Sequence, residues 1–135
     1  MCGPARLRWQ FQLMHQLLDS EFESTTDQRA AALYARVTVC EDVIVNGVLG
    51  GGKPLAFSEW RGRTGLSELP PLPSGAQRRE WASRVHIESP RFRAYACAVH
   101  AATDAYLSRL DAPAYGETHV QVLVALLLSV STTRT

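Results

Sequence analysis

The stretch "QRAAALYARVTVCEDVIVNGVL", Gln28–Leu49, decides whether this chain is all-helical or contains a β-hairpin. Its first half is rich in alanine, which favours helix, whereas its second half is β-branched and carries Asn46-Gly47 between apolar runs, as hairpins do. One apolar stripe at helical spacing nevertheless runs through both halves: Leu33, Val37, Cys40, Ile44 and Val48. Because the stripe is unbroken, we predict a helix over 28–48, with Gly47 in a left-handed conformation near its C-terminus.

Three other segments predict helices. A stripe of apolar residues indicates a first helix over 5–23, and Ser89-Pro90 is a typical start for a third helix over 90–110. The segment 119–130 is apolar on every side, as in a buried helix or a central strand, and helix is consistent with the rest of the chain. The expected fold is a single all-α domain, a four-helix bundle with a long Gly/Pro-rich loop between helices two and three.

Composition limits the classes of function. The chain has 135 residues, 46% of them apolar and 20% charged, with a net charge of +1, as expected for one soluble domain without affinity for nucleic acid or membranes. The longest apolar run, 122–128, is far below the ~20 residues that span a bilayer. No secretory signal is recognisable, and the cysteines are odd in number and widely spaced, which favours the cytoplasm. Cys40 and Cys97 are expected to be inert core thiols.

A glycine-rich segment raises the question of a nucleotide-binding loop. Gly47-x-x-x-x-Gly52-Lys53 matches the phosphate-binding pattern up to its last position, where Pro54 replaces the serine or threonine that would ligate magnesium. Proline also lacks the backbone N–H that such a loop directs at phosphate. We therefore interpret the segment as a connector that follows a helix.

Three stretches of the sequence carry a family resemblance: "LRWQFQLMHQLLD", "YARVTVCEDVIVNGVLGGGKPLAFSEWRGRTGL" and "RAYACAVHAATDAYLSRLD". Together they resemble the DinB-like superfamily, small bacterial four-helix proteins that include damage-inducible proteins, thiol-dependent transferases and the metal-binding domain of mycothiol-dependent maleylpyruvate isomerases. The resemblance covers roughly Leu7 to Ser129. Its most specific part is the middle block, in which a helix carrying Glu41-Asp42 leads into a Gly-Lys-Pro loop.

The resemblance implies metal-activated thiol transfer, with a divalent ion (zinc or nickel) held by three histidines. One of them would lie near Tyr34 or Ala35, and two would lie at or just beyond Thr132 and Thr133, but the sequence has no histidine there. The chain is therefore interpreted as a C-terminally truncated member with no metal ligands. The remaining histidines show no i+3 or i+4 spacing among themselves: His15, His86, His100 and His119.

Two functions follow as hypotheses. The first is a binding or interaction protein, or a remnant, that lacks a working metal site. The second is a metal- and thiol-dependent transferase or isomerase that uses non-standard ligands, with Glu41 and His100 as catalytic candidates and a thiol or other small molecule of unknown identity as ligand. An apolar last helix would also favour a homodimer through three leucines: Leu123, Leu126 and Leu127.

Each polar candidate also has a structural interpretation. Of Glu41 and Asp42, one would face solvent while the other pairs with an arginine such as Arg36, because neighbouring residues point in different directions on a helix. His100 would be a hydrogen-bonded core histidine. Tyr95 is expected in the core with its hydroxyl at the edge.

Overall fold

The computed structural model describes residues 3–71 and 77–109. These residues form four α-helices, a π-helical segment over Val43–Leu49 and a 3-10 turn over Leu55–Phe57. The α-helices are α1 (Gly3–Ser24), α2 (Gln28–Asp42), α3 (Arg78–Arg84) and α4 (Ser89–Arg109). No strand occurs in the described ranges, so the all-α prediction is confirmed for them.

The predicted helix 119–130 and its three leucines lie outside the described residues, as do the positions near Thr132. None of the helices in these ranges has the length and apolarity that a membrane crossing requires.

Helix α2 is the central element of the described chain. Asp27 caps its N-terminus by accepting a hydrogen bond from the Arg29 amide, and the helical path continues past Asp42 into the π-helical segment. The hairpin alternative is therefore wrong for this stretch. All side chains over 35–42 are buried, which places α2 between other elements instead of on the surface.

Helices α1 and α4 pack against each other in antiparallel orientation. Arg8 near the start of α1 forms a bidentate ion pair with Asp104 near the end of α4, at 2.7 and 2.9 Å. At the opposite end, the Phe22 and Phe92 rings lie 5.1 Å apart. This register sets which side chains of the two helices meet in the middle.

The glycines after α2 differ from the prediction. Gly47 is not left-handed: it lies inside the π-helical segment, and a Cβ on it would come within 3.3 Å of the Pro54 ring. Gly51 adopts the positive φ of 70° instead. The extra residue per turn of a π-helix extends the helical path beyond Gly47, so the left-handed turn falls later in the chain. The absence of a side chain at Gly47 lets the Pro54 ring pack closely against the helix backbone.

The Gly/Pro-rich connection is attached to the core. Trp60, Leu66 and Leu69 pack against the main apolar cluster. Gly65 has a φ of 82°, and its carbonyl accepts a hydrogen bond from the Glu88 amide at 2.7 Å. A Cβ at Gly65 would come within 2.5 Å of the Phe92 backbone nitrogen, so only glycine permits this contact.

Candidate functional site

Three helices bring His15, Glu41 and His100 together. His15 comes from α1, Glu41 from α2 and His100 from α4, and their potential ligand atoms all lie within 4.8 Å of one another. His15 and Glu41 are buried, and His100 is partly buried. The antiparallel register of α1 and α4 creates this meeting point, because it sets the middle of α1 opposite the middle of α4.

Glu41 forms the centre of the cluster. Its two carboxylate oxygens lie 3.0 and 2.9 Å from Nε2 of His15, whose N–H donates to them. Thr103, which shares a face of α4 with His100, donates its hydroxyl to the Glu41 Oε2 at 2.6 Å. No arginine or lysine of the described residues forms an ion pair with Glu41. The carboxylate is thus held by one imidazole and one hydroxyl.

The two imidazole rings are stacked. Their centroids lie 3.8 Å apart with an interplanar angle of 6°, and Phe11 contacts His15 edge-on at 5.9 Å. Burial, followed by the charge of His15, lowers the pKa of His100 to about 4, against the opposing effects of Glu41 and Asp19. His100 is therefore neutral at neutral pH. None of the described residues hydrogen-bonds to its ring.

Asp42, the next residue, has a different environment. It is fully buried and accepts hydrogen bonds from the backbone amides of Leu55 and Ala56, at 2.7 and 2.9 Å. Its carboxylate also accepts from the Asn46 side chain at 2.8 Å and from the Tyr95 hydroxyl at 2.7 Å. Burial, followed by the charge of Asp42, raises the pKa of Tyr95, so its hydroxyl remains a donor. Asp42 thereby attaches the connection after α2 to the core.

Several sequence predictions need correction. Glu41 and Asp42 are both buried, with neither facing solvent nor bonded to Arg36, because the last two turns of α2 are covered on all sides. The Tyr95 hydroxyl lies in the interior, not at the edge, since it donates to Asp42. Cys40 is buried as expected, but Cys97 is exposed because it lies on the outer face of α4.

Of the predicted candidates, Glu41 and His100 do come together, but the sequence reasoning missed His15. A signal was present: His15 follows Phe11 by four residues and precedes Phe22 by seven, so it shares the buried face of α1. Thr103 likewise shares a face with Val99 and was not singled out. A polar residue within an apolar stripe on each of two helices was the available clue.

The donor set suits a divalent transition metal. Ligand atoms on metal bonds of about 2.0–2.2 Å lie about 3.0–3.5 Å apart, so the His15–Glu41 separation fits without change. His100 does not yet fit, because a coordinated ion lies in the plane of each imidazole and two parallel stacked planes share no point. Its ring would have to turn, and no hydrogen bond from a described residue opposes that rotation. The ligand atoms are therefore close enough for one ion, and the stacked His100 ring is the part of the arrangement that binding would have to change.

Comparisons with family models, with curated proteins and with solved structures gave no match. The resemblance to the DinB-like superfamily accordingly stays a prediction, and the site has to be interpreted from its own chemistry.

Proposed function

We propose that this protein binds a divalent first-row transition-metal ion, such as zinc, through His15, Glu41 and His100 and uses it in hydrolysis or group transfer. The observation that supports the proposal is the convergence of two imidazoles and one carboxylate from three helices within 4.8 Å. No metal ligands were predicted from the sequence, because the positions implied by the family resemblance hold no histidine and the four histidines show no i+3 or i+4 spacing. Here the ligand set would be assembled across helices.

The number and type of donors in the part of the chain that the structure describes favour catalysis over a purely structural ion. Closed structural zinc sites use four protein ligands, whereas catalytic sites use three and leave a position for water or substrate. Two histidines with one carboxylate also form the ligand set of non-haem iron(II) sites. A bound ion would supply a Lewis acid that lowers the pKa of a bound water or thiol.

The residues around the site have separate tasks in this proposal. Thr103 fixes one oxygen of Glu41 and so orients the carboxylate toward His15. Nε2 of His15 lies 2.9 Å from a Glu41 oxygen, and it would bind the ion in place of this hydrogen bond. His100, neutral because of its burial, presents a ring nitrogen without first losing a proton.

The reaction class is inferred by analogy alone. If the DinB-like resemblance holds, the reaction is thiol transfer or isomerisation. The ligand positions that this resemblance implies lie elsewhere in the chain, so the site proposed here would be a non-standard one.

A protein without a metal is the second candidate function. Two features favour it: the parallel stacking of the His15 and His100 rings, and the hydrogen bonds that already satisfy Glu41. In that case the cluster is a buried polar network that joins three helices, and the protein acts by binding a partner.

Metal titration of untagged protein separates the two candidates. Zinc, nickel and manganese are added in turn to chelator-treated protein, and binding is followed by calorimetry and by melting temperature. We expect stoichiometric binding of at least one ion and a rise in melting temperature that a chelator reverses. His100→Gln should abolish both effects, whereas the matched control His86→Gln should keep them, because His86 is exposed. Absence of binding, or an equal loss in both variants, would favour the metal-free candidate.

A further inference from the structure

Arg36 is a buried cation on α2. It is 7% exposed, and its Nε and Nη1 atoms are buried with no hydrogen-bond partner among the described residues. These two atoms carry most of the N–H donors of a guanidinium group. Buried polar groups in folded proteins are nearly always hydrogen-bonded, so an unsatisfied guanidinium of this kind calls for a ligand.

The charges near Arg36 do not neutralise it. Burial lowers its pKa and the charge of Arg78 on α3 lowers it further, while Cys40, one turn along α2, acts in the opposite direction. Burial raises the pKa of Cys40, so its thiol keeps its proton and offers no negative charge. The nearest carboxylates in sequence, Glu41 and Asp42, bind other partners. No carboxylate of the described residues is among the groups that raise the Arg36 pKa.

We propose that Arg36 anchors a binding site for a small oxyanion, a carboxylate or a phosphate group, at its buried and unpaired Nε and Nη1 atoms. An anion with several oxygens can accept hydrogen bonds from both Nε and Nη1 and neutralise the charge. The protonated Cys40 carries no negative charge that would oppose the anion. An uncompensated buried charge destabilises a protein by several kcal/mol, so the bound anion stabilises the fold.

This site is separate from the proposed metal site. Arg36 and Glu41 lie five positions apart on α2, so their side chains point about 140° apart around the helix. Glu41 faces His15 and His100, whereas Arg36 is influenced by Cys40 and Arg78. Loss of anion binding and loss of metal binding are therefore independent results.

Thermal unfolding in sodium phosphate, acetate and chloride at equal pH and ionic strength tests the oxyanion site. The variants are Arg36→Met, Arg36→Lys and a matched control, Arg29→Met, an exposed arginine on the same helix. We expect phosphate or acetate to raise the melting temperature of the unaltered protein and of Arg29→Met by about 3–6 °C over chloride, at roughly ten times Kd. Arg36→Lys should keep part of this shift, and Arg36→Met should lose it.

The stability of Arg36→Met in chloride provides the second measurement. Replacing an uncompensated buried charge by an apolar side chain of similar length should leave the protein at least as stable as before. A response to phosphate alone identifies a phosphoryl ligand, and one to acetate alone identifies a carboxylate ligand. The proposal is overturned if neither anion shifts the unaltered protein, if Arg36→Met responds like Arg29→Met, or if Arg36→Met is clearly destabilised in chloride.

Discussion

Glu41 and Asp42 are adjacent carboxylates, equally buried on the same helix, yet their surroundings differ in kind. Asp42 accepts four hydrogen bonds, two from backbone amides of the connection after α2 and two from the Asn46 and Tyr95 side chains. Glu41 is bonded to one imidazole and one hydroxyl, with a second imidazole nearby. Burial of a carboxylate therefore does not indicate its role, whereas the chemistry of its partners does.

The geometry of α2 produces this division. Successive side chains on an α-helix point about 100° apart, so Asp42 faces the loop and Tyr95 while Glu41 faces α1 and the middle of α4. Backbone amides do not dissociate, so the bonds to Asp42 are fixed. In the proposed metal site, the hydrogen bond between His15 and Glu41 would be replaced by a bond from each side chain to the cation.

The largest expected effect on stability is that of Asp42→Ala. It leaves two backbone amides and two side-chain donors without their acceptor, which should lower the free energy of unfolding by about 3–5 kcal/mol. Urea unfolding of the metal-free protein measures this loss. Metal affinity of the folded fraction should stay unchanged, and a loss below about 1 kcal/mol would contradict the structural role.

Glu41→Gln should have a small effect on stability and a large effect on zinc affinity, the reverse of Asp42→Ala. The amide keeps the size of the side chain and can still accept from Thr103, so the free energy of unfolding should fall by only about 1 kcal/mol. Zinc affinity should fall by more than about 100-fold, because a direct ligand is lost. Calorimetric titration beside Asp42→Asn, a matched amide substitution at the next position, checks this. Equal zinc affinity of Glu41→Gln and Asp42→Asn would show that Glu41 does not differ from Asp42 in metal binding.

Two substitutions that remove a hydroxyl donor, one beside Asp42 and one beside Glu41, should have smaller effects on stability and on zinc affinity. Tyr95→Phe removes one donor to Asp42 and should cost about 1.5–3 kcal/mol of unfolding free energy with no change in zinc affinity. Thr103→Val removes the donor to Glu41 and should weaken zinc binding by about 10-fold or more. Urea denaturation measures the unfolding free energy of both variants, and calorimetry measures their zinc affinity. A zinc effect of Tyr95→Phe equal to that of Thr103→Val would show that the two networks are coupled.

The smallest expected effect lies on the surface. The hydrogen bond from Arg8 lowers the pKa of Asp104, so this pair stabilises the fold above the ordinary pKa of an aspartate and ceases to do so as the pH falls through the lowered value. Both side chains are partly exposed, so Asp104→Asn should cost no more than about 1 kcal/mol at pH 7. Urea unfolding of the unaltered protein and of Asp104→Asn at low and at high salt measures this cost. A cost that salt does not reduce would show a packing role instead.

Much of the fold could be predicted from the sequence, because a helix is recognised from the spacing of apolar residues within one segment. The stripe through Gln28–Leu49 correctly outweighed the Asn46-Gly47 dipeptide, while the left-handed position shifted to Gly51 because a π-helix cannot be inferred from periodicity. The candidate site was only half predictable. Glu41 and His100 were named as candidates from the sequence, but their proximity to His15 depends on the packing register of α1 against α4, which no single segment encodes.

Anomalous X-ray diffraction from crystals grown with zinc tests the central claim most directly. We expect a zinc peak bonded to one nitrogen each of His15 and His100 and to a carboxylate oxygen of Glu41, with the His100 ring turned out of its parallel stack. Asp42 should keep its bonds to Leu55, Ala56 and Tyr95. A histidine pair still stacked, with no zinc peak beside Glu41, would contradict the account and leave the cluster as a polar network that joins three helices.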